Sequence, residues 1–205
     1  MASGSYIGVT PGSGAKLATG PTYTESSNVV QDQKVIAGEL YLASYTIVGT
    51  SVSIATSASH LLQIMAGSTL NVRIRRIEIW PNTAAGSATL DGFNIVRLTS
   101  AGSGGGVVTP GPLNPADGAS GATSMSLPSS KGAESTLLLQ GTSVMYQTAP
   151  TAGTFGPYIR WDLDGERLPP IIIAAGTSNG IAVKNNVAVA GATVTLNVWI
   201  TETPF

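Results

Sequence analysis

The stretch Leu70-Asn-Val-Arg-Ile-Arg-Arg-Ile-Glu-Ile-Trp80 decides how this chain reads. Leu70, Val72 and Ile74 alternate with Asn71, Arg73 and Arg75, the period of two that sends one strand face into a core and the other towards water. Beyond Arg76 the parity reverses, and Ile77 and Ile79 take positions that the first half gave to arginine. Side chains alternate strictly along a strand, so a reversal needs one extra residue, and a β-bulge is expected near Arg75-Arg76. Pro81-Asn82 is expected to end the strand.

The same period recurs outward from this stretch. The cleanest case is the last, where Val194, Leu196, Val198 and Ile200 fall on one face and Thr193, Thr195, Asn197 and Trp199 on the other, a half-buried antiparallel strand. Strands are also expected at Leu40 to Val48, Ser51 to Thr56, His60 to Met65, Ala88 to Leu98 (with a kink at Asp91-Gly92), Thr136 to Gln140, Ser143 to Thr148, Tyr158 to Asp164, Leu168 to Ile173 and Gly180 to Asn185. Pro169-Pro170 suits a strand start or edge, and Asp164-Gly165 a hairpin turn. Ser57 to Gly67 is the best helical candidate, but its caps are weak and its residues suit β structure. About eight to ten strands at hairpin-like spacing suggest a sandwich, jelly roll or closed barrel, with no internal repeat.

Two segments break the pattern. Met1 to about Gly38 is rich in Gly, Ser, Thr and Pro and sustains no period. It reads as an extended N-terminal arm, and Tyr6, Ile7, Val9, Leu17, Tyr23, Val29 and Val30 are its candidate anchors on a neighbour. Thr99 to Ser135 carries Gly102-Ser-Gly-Gly-Gly106 and four prolines, with order expected only at Val107-Val108 and Met125 to Leu127. An interruption of that length in a compact domain points to a contact surface or a functional loop. The domains are thus an arm, 1–38, and a β domain, 39–205, with a long Gly/Pro/Ser-rich loop at about 99–135.

Composition bounds the function. A chain of 205 residues can bury a full core as one β domain. Only 10% of residues are charged and the formal net charge is −1, against about 25% charged in an average domain. The mean hydropathy is +0.23. Either Ser, Thr, Asn and Gly solvate the surface or neighbours cover much of it, and the scarcity of protecting charge favours coverage. Nucleic acid is not expected as the main partner, because phosphate binding needs a basic stripe. No cysteine is present, which removes disulfides and thiolate chemistry. Met1 to Thr10 has neither a basic nor an apolar region of the kind a signal peptide needs. The longest aliphatic run, Ile171 to Ala175, is far short of the ~20 apolar residues of a membrane helix, so no membrane partner is expected.

Catalytic patterns are weak. His60 is the single histidine and sits in Ala-Ser-His-Leu-Leu with no motif around it, so a packed histidine is favoured over a general base. Asp162, Asp164 and Glu166 alternate and would share a strand face; a calcium-loop fragment or half of a glycosidase site competes there with a turn flanked by ion pairs. Arg73, Arg75 and Arg76 are read as structural or interface cations pairing with Glu78, Asp91 or the Asp162 group. Gly102 to Gly106 lacks the Gly-Lys-Ser/Thr ending of a phosphate loop and reads as a flexible loop. Trp80, Trp161 and Trp199 could form a sugar platform, though core or interface packing is the commoner use. No catalytic, cofactor or metal site is expected.

Several segments resemble virion structural proteins of tailed bacteriophages: Gly8-Val-Thr-Pro-Gly-Ser-Gly-Ala-Lys-Leu-Ala-Thr19, His60 to Glu78, Pro170 to Ile181 and Val198-Trp-Ile-Thr-Glu-Thr-Pro-Phe205. The resemblance covers about a third of the chain and transfers no catalytic residue. It implies a capsid decoration (cement) protein: a non-enzymatic, all-β, antiparallel sandwich of jelly-roll type, homotrimeric, on the capsid exterior, with the major capsid protein or other virion proteins as partners. A tail, fibre or glycan-binding adhesion module is the alternative.

Overall fold

A computed structural model describes residues 23–25, 28–30, 42–83, 89–147, 158–163 and 170–204. The chain divides into two compact units, Met1–Leu40 and Tyr41–Phe205. In the first, β1 (Tyr23–Glu25) and β2 (Asn28–Val30) pair antiparallel, with Tyr23 opposite Val30 and Thr24 opposite Val29. The arm expected to be extended therefore contains a hairpin. The candidate anchors Tyr6, Ile7, Val9 and Leu17 lie outside the described residues.

The second unit is all-β, and no helix occurs among its described residues. Its strands are β3 (Ser44–Ser53), β4 (His60–Met65), β5 (Asn71–Thr83), β6 (Thr89–Leu98), β7 (Gly106–Val107), β8 (Gly111–Pro112), β9 (Thr123–Ser126), β10 (Glu134–Gln147), β11 (Ile159–Asp162), β12 (Ile171–Ile173), β13 (Gly180–Asn185) and β14 (Thr193–Thr203). Two antiparallel six-stranded sheets pack as a sandwich. One has the order β11-β5-β14-β3-β8, with β12 beside β11 on the same edge of β5; the other has the order β10-β6-β13-β4-β9-β7.

The core follows from alternation. β14 lies between β5 and β3, and its Val194, Leu196, Val198 and Ile200 are at most 1% exposed. Val72, Ile74, Ile77 and Ile79 of β5 are fully buried beside them. Each such side chain contributes about 1.5–3 kcal/mol on burial. The parity reversal in β5 is resolved as expected: Trp199 faces Arg76 while the next residue, Ile200, faces Ile74, leaving Arg75 as the extra residue of a bulge. β5 does not end at Pro81-Asn82. Pro81 pairs with Val194, and among the described residues the β11 ladder reaches only to Ile79, so Pro81 stands beyond its end.

Other irregularities were not foreseen. Leu40 to Val48 and Ser51 to Thr56 merge into one strand, β3, with an extra residue between Gly49 and Val52 and Ser51 at φ 51°. β6 runs through Asp91-Gly92 without a register break; the extra residues fall in its partner β10. In β4, Leu61 is the surplus residue, since Val183 faces Leu62 and Lys184 faces His60. Leu61 and Leu62 thus both enter the core, and His60 stands on the outer side with Gln63.

The largest departure is Thr99 to Ser135, which is neither structureless nor a loose loop. It adds β9 and β7 to the edge of one sheet and β8 to the edge of the other. Its glycines serve close approach: a Cβ on Gly102 would lie 2.6 Å from the Ser130 carbonyl oxygen and 2.8 Å from the Gln63 amide. Gly104, at φ +73°, takes the left-handed turn that other residues resist. The buried Glu202 carboxylate fastens the same segment to β14, accepting from Ser120 Oγ at 2.7 Å, Ala122 N at 2.8 Å and Gly121 N at 3.2 Å.

Leu196→Ala is expected to lower the unfolding free energy by about 2–5 kcal/mol and Glu202→Gln by about 1–3 kcal/mol. Urea melts followed by near-UV circular dichroism check both, and an unchanged midpoint for Glu202→Gln would show that the clamp contributes nothing.

Candidate functional site

The outward side chains of the β3-β14-β5 sheet form rows across the strands. Ser44, Thr201, Arg73 and Ile172 make one row; Thr46, Trp199, Arg76 and Asp162 the next; then Val48, Asn197, Glu78 and Arg160. Trp80 stacks on Tyr158 beyond them, with centroids 4.1 Å apart and planes 5° from parallel. The extra residue Arg75 falls between the first two rows, where an open groove of about 570 Å³ runs past Arg75, Arg76, Arg160, Asp162, Trp199 and Thr201.

Charge on this face is networked. Asp162 accepts from Arg76 Nε and Arg160 Nε, each at 2.7 Å. Glu78 lies 3.8 Å from Arg76 and 3.9 Å from Arg160, and accepts from Trp80 Nε1 at 3.2 Å. Hydrogen bonds from Arg160 and then Arg76 hold the Asp162 carboxyl below the ordinary aspartate range, and Asp162 in turn raises Arg160. Of the arginine cluster, Arg76 pairs with Glu78 and Asp162 as the sequence implied, and Arg160 joins them. Asp91's side chain, Asp164 and Glu166 lie outside the described residues.

The three tryptophans do not assemble into one platform. Trp161 is a core residue, 7% exposed. Trp199 has the Arg76 guanidinium over its ring at 5.5 Å. Trp80 is held against Tyr158.

His60 is buried in a polar chain on the outside of the other sheet. Gly102 N donates to Gln63 Oε1 at 2.8 Å, which fixes the Gln63 amide so that its Nε2 donates to His60 Nδ1 at 2.7 Å. Nδ1 must then accept, and Nε2–H donates to Glu134 Oε1 at 2.8 Å. Lys184 Nζ closes the chain on the same carboxylate at 2.9 Å. Both ring nitrogens are thus committed with the imidazole neutral. Burial lowers the His60 pKa, outweighing the opposing pull of Glu134, with Lys131 and Lys184 adding to the depression. Burial alone would raise Glu134, but hydrogen bonds from His60 and Lys184 leave it lowered. Among the described residues no group of three or more His, Asp or Glu is placed to hold a metal ion.

Sequence reasoning missed this chain, because Glu134 and Lys184 lie far from His60 in sequence. It also missed Asn185, fully buried, whose Oδ1 accepts from Ser59 N while Nδ2 donates to the Thr56 carbonyl. No protein-family model, curated protein or solved structure matches the chain.

The depressed His60 pKa sets a sign. In the unfolded chain the imidazole gains a proton as pH falls through 6.5 while the folded one does not, so this contribution is complete above that value and is lost on acidification towards the lower folded pKa. Glu134, lowered from 4.5, acts in the same direction further down. Wild-type urea midpoints should fall between about pH 7 and pH 5, and His60→Gln should flatten that slope. A flat wild-type profile across this range would remove the imidazole from the stability balance.

Proposed function

We propose that this chain is a non-enzymatic virion structural protein of a tailed bacteriophage, a jelly-roll module that decorates and stabilises the capsid exterior as a homotrimer. The observation that carries the reading is the strand order. Of the eight strands β3, β4, β5, β6, β10, β11, β13 and β14, the first pairs with the eighth, the second with the seventh, the third with the sixth and the fourth with the fifth. Consecutive strands mostly alternate between the two sheets. Four nested antiparallel pairs rolled into two sheets support the jelly-roll type, an architecture used by viral capsid and lectin domains. The residue resemblance to phage virion proteins and the low charge content agree with a surface covered on assembly.

The non-enzymatic reading is supported by what the candidate catalytic groups do. Both nitrogens of His60 are bound within the fold, and Asp162 is held by two arginines. The glycan-binding alternative draws on Trp80 and Tyr158, 40% and 42% exposed. Their mutual stacking leaves less ring face for a sugar than a free platform offers.

Light scattering on the purified chain, with and without empty phage capsids, is expected to give a stable trimer that co-sediments with the shells. A monomer that ignores them would overturn the reading. Deleting Met1 to Gly38 is expected to leave a folded β unit with its cooperative melt intact but without shell binding, and full binding by the truncated chain would reject the arm as the tether.

A further inference from the structure

The polar chain through His60 has a direction, and the backbone sets it at one end. Gly102 N can only donate, so the Gln63 atom 2.8 Å away is the amide oxygen. Gln63 Nε2 must then face His60 Nδ1, 2.7 Å away, and donate to it. The ring donates onward from Nε2 to Glu134, which Lys184 holds at 2.9 Å. Every link is a direct contact, and each has one donor and one acceptor while the imidazole is neutral.

A proton on Nδ1 breaks that order. It sets two donors face to face across the contact with Gln63. Turning the Gln63 amide over repairs this contact but moves the clash to Gly102, whose N–H then meets Nε2 in place of Oε1. Gly102 has little room to adapt where it is: a Cβ there would lie 2.6 Å from the Ser130 carbonyl oxygen and 2.8 Å from Gln63 Nε2. At the other ring nitrogen the same proton turns a neutral hydrogen bond into an ion pair with Glu134. Protonation therefore strengthens the β10 end of the chain and breaks the Gly102 end. Among the described residues, the charged groups facing the ring are Glu134 of β10, which favours the proton, and Lys184 of β13 and Lys131 just ahead of β10, which oppose it, as burial does.

We propose that His60 is a proton-operated latch: acidification releases the Gly102 turn from β4 while the two sheets stay packed. The release is local. At the other end of the same segment, Glu202 fastens Ser120, Gly121 and Ala122 through contacts that do not involve the imidazole. The core strands β5 and β14 belong to the opposite sheet. The latch is a property of the fold and operates with or without a capsid role.

Hydrogen–deuterium exchange of the full-length chain, read amide by amide by NMR between about pH 7 and pH 4, tests the latch, with the imidazole titration followed in the same samples. In the wild type, protection of the Gly102 amide is expected to fall about tenfold as His60 takes its proton, while Val198 of β14 stays protected. His60→Asn keeps an acceptor near the Nδ1 position and takes no proton there, so its Gly102 protection should stay level. Gln63→Glu accepts from both sides; its imidazole should titrate at higher pH, and Gly102 should stay protected through that step. Gly102 protection that holds level across the wild-type titration, or that falls equally in either variant, would overturn the latch. Val198 opening together with Gly102, or an imidazole that stays neutral until the chain unfolds, would overturn it too, since either makes the effect of the proton global.

Discussion

A strand side chain points to one face of its sheet or the other, and a single inserted residue reverses that choice for everything beyond it. The architecture of this protein depends on where such insertions fall. β5 has core residues at both ends on opposite parities, and only the surplus Arg75 lets Val72, Ile74, Ile77 and Ile79 enter one core. The same step crowds Arg75 and Arg76 onto the outer face beside Trp199. Packing and the polar site therefore have one cause, and neither could be altered by sliding the strand without exposing four aliphatic side chains.

What the sequence disclosed and what it hid follow from the range of the interactions. β14 and the β5 bulge were legible because their signal is local: alternation of aliphatic and polar residues within about ten positions. The surplus Leu61 in β4 was not, since the adjacent apolar pair Leu61-Leu62 carries no parity to read. The Thr99 to Ser135 segment misled for a different reason. Glycines that permit close backbone approach, as Gly102 does against Ser130 and Gln63, have the same composition as glycines in a slack linker. Only the partners, far off in the sequence, tell them apart. Glu202, Asn185 and the His60 chain were hidden likewise, because each joins residues with no sequence proximity.

The polar groups divide the work unevenly. The exposed arginine–carboxylate pairs on the β5 face are screened by water and contribute little to stability. The buried contacts matter more: Glu202 holds three donors, and His60 links β4, β10 and the Gly102 turn through one neutral imidazole. With so few charges in the chain, several of those present are spent on fastening the long segment and the sheet margins.

The margins themselves have a consequence. Among the described residues, β7 and β8 border one side of their sheets with two residues each, and β11 and β12 border another with four and three. The remaining border, β10, is fourteen residues long but breaks register three times. Backbone donors and acceptors along these rims come in runs too short or too uneven to template a long added strand. Copies of such a protein are therefore biased against growing into open-ended fibrils by continuing one another's sheets. Contacts made through side chains on the broad faces are instead self-limiting, because they end when the face is covered.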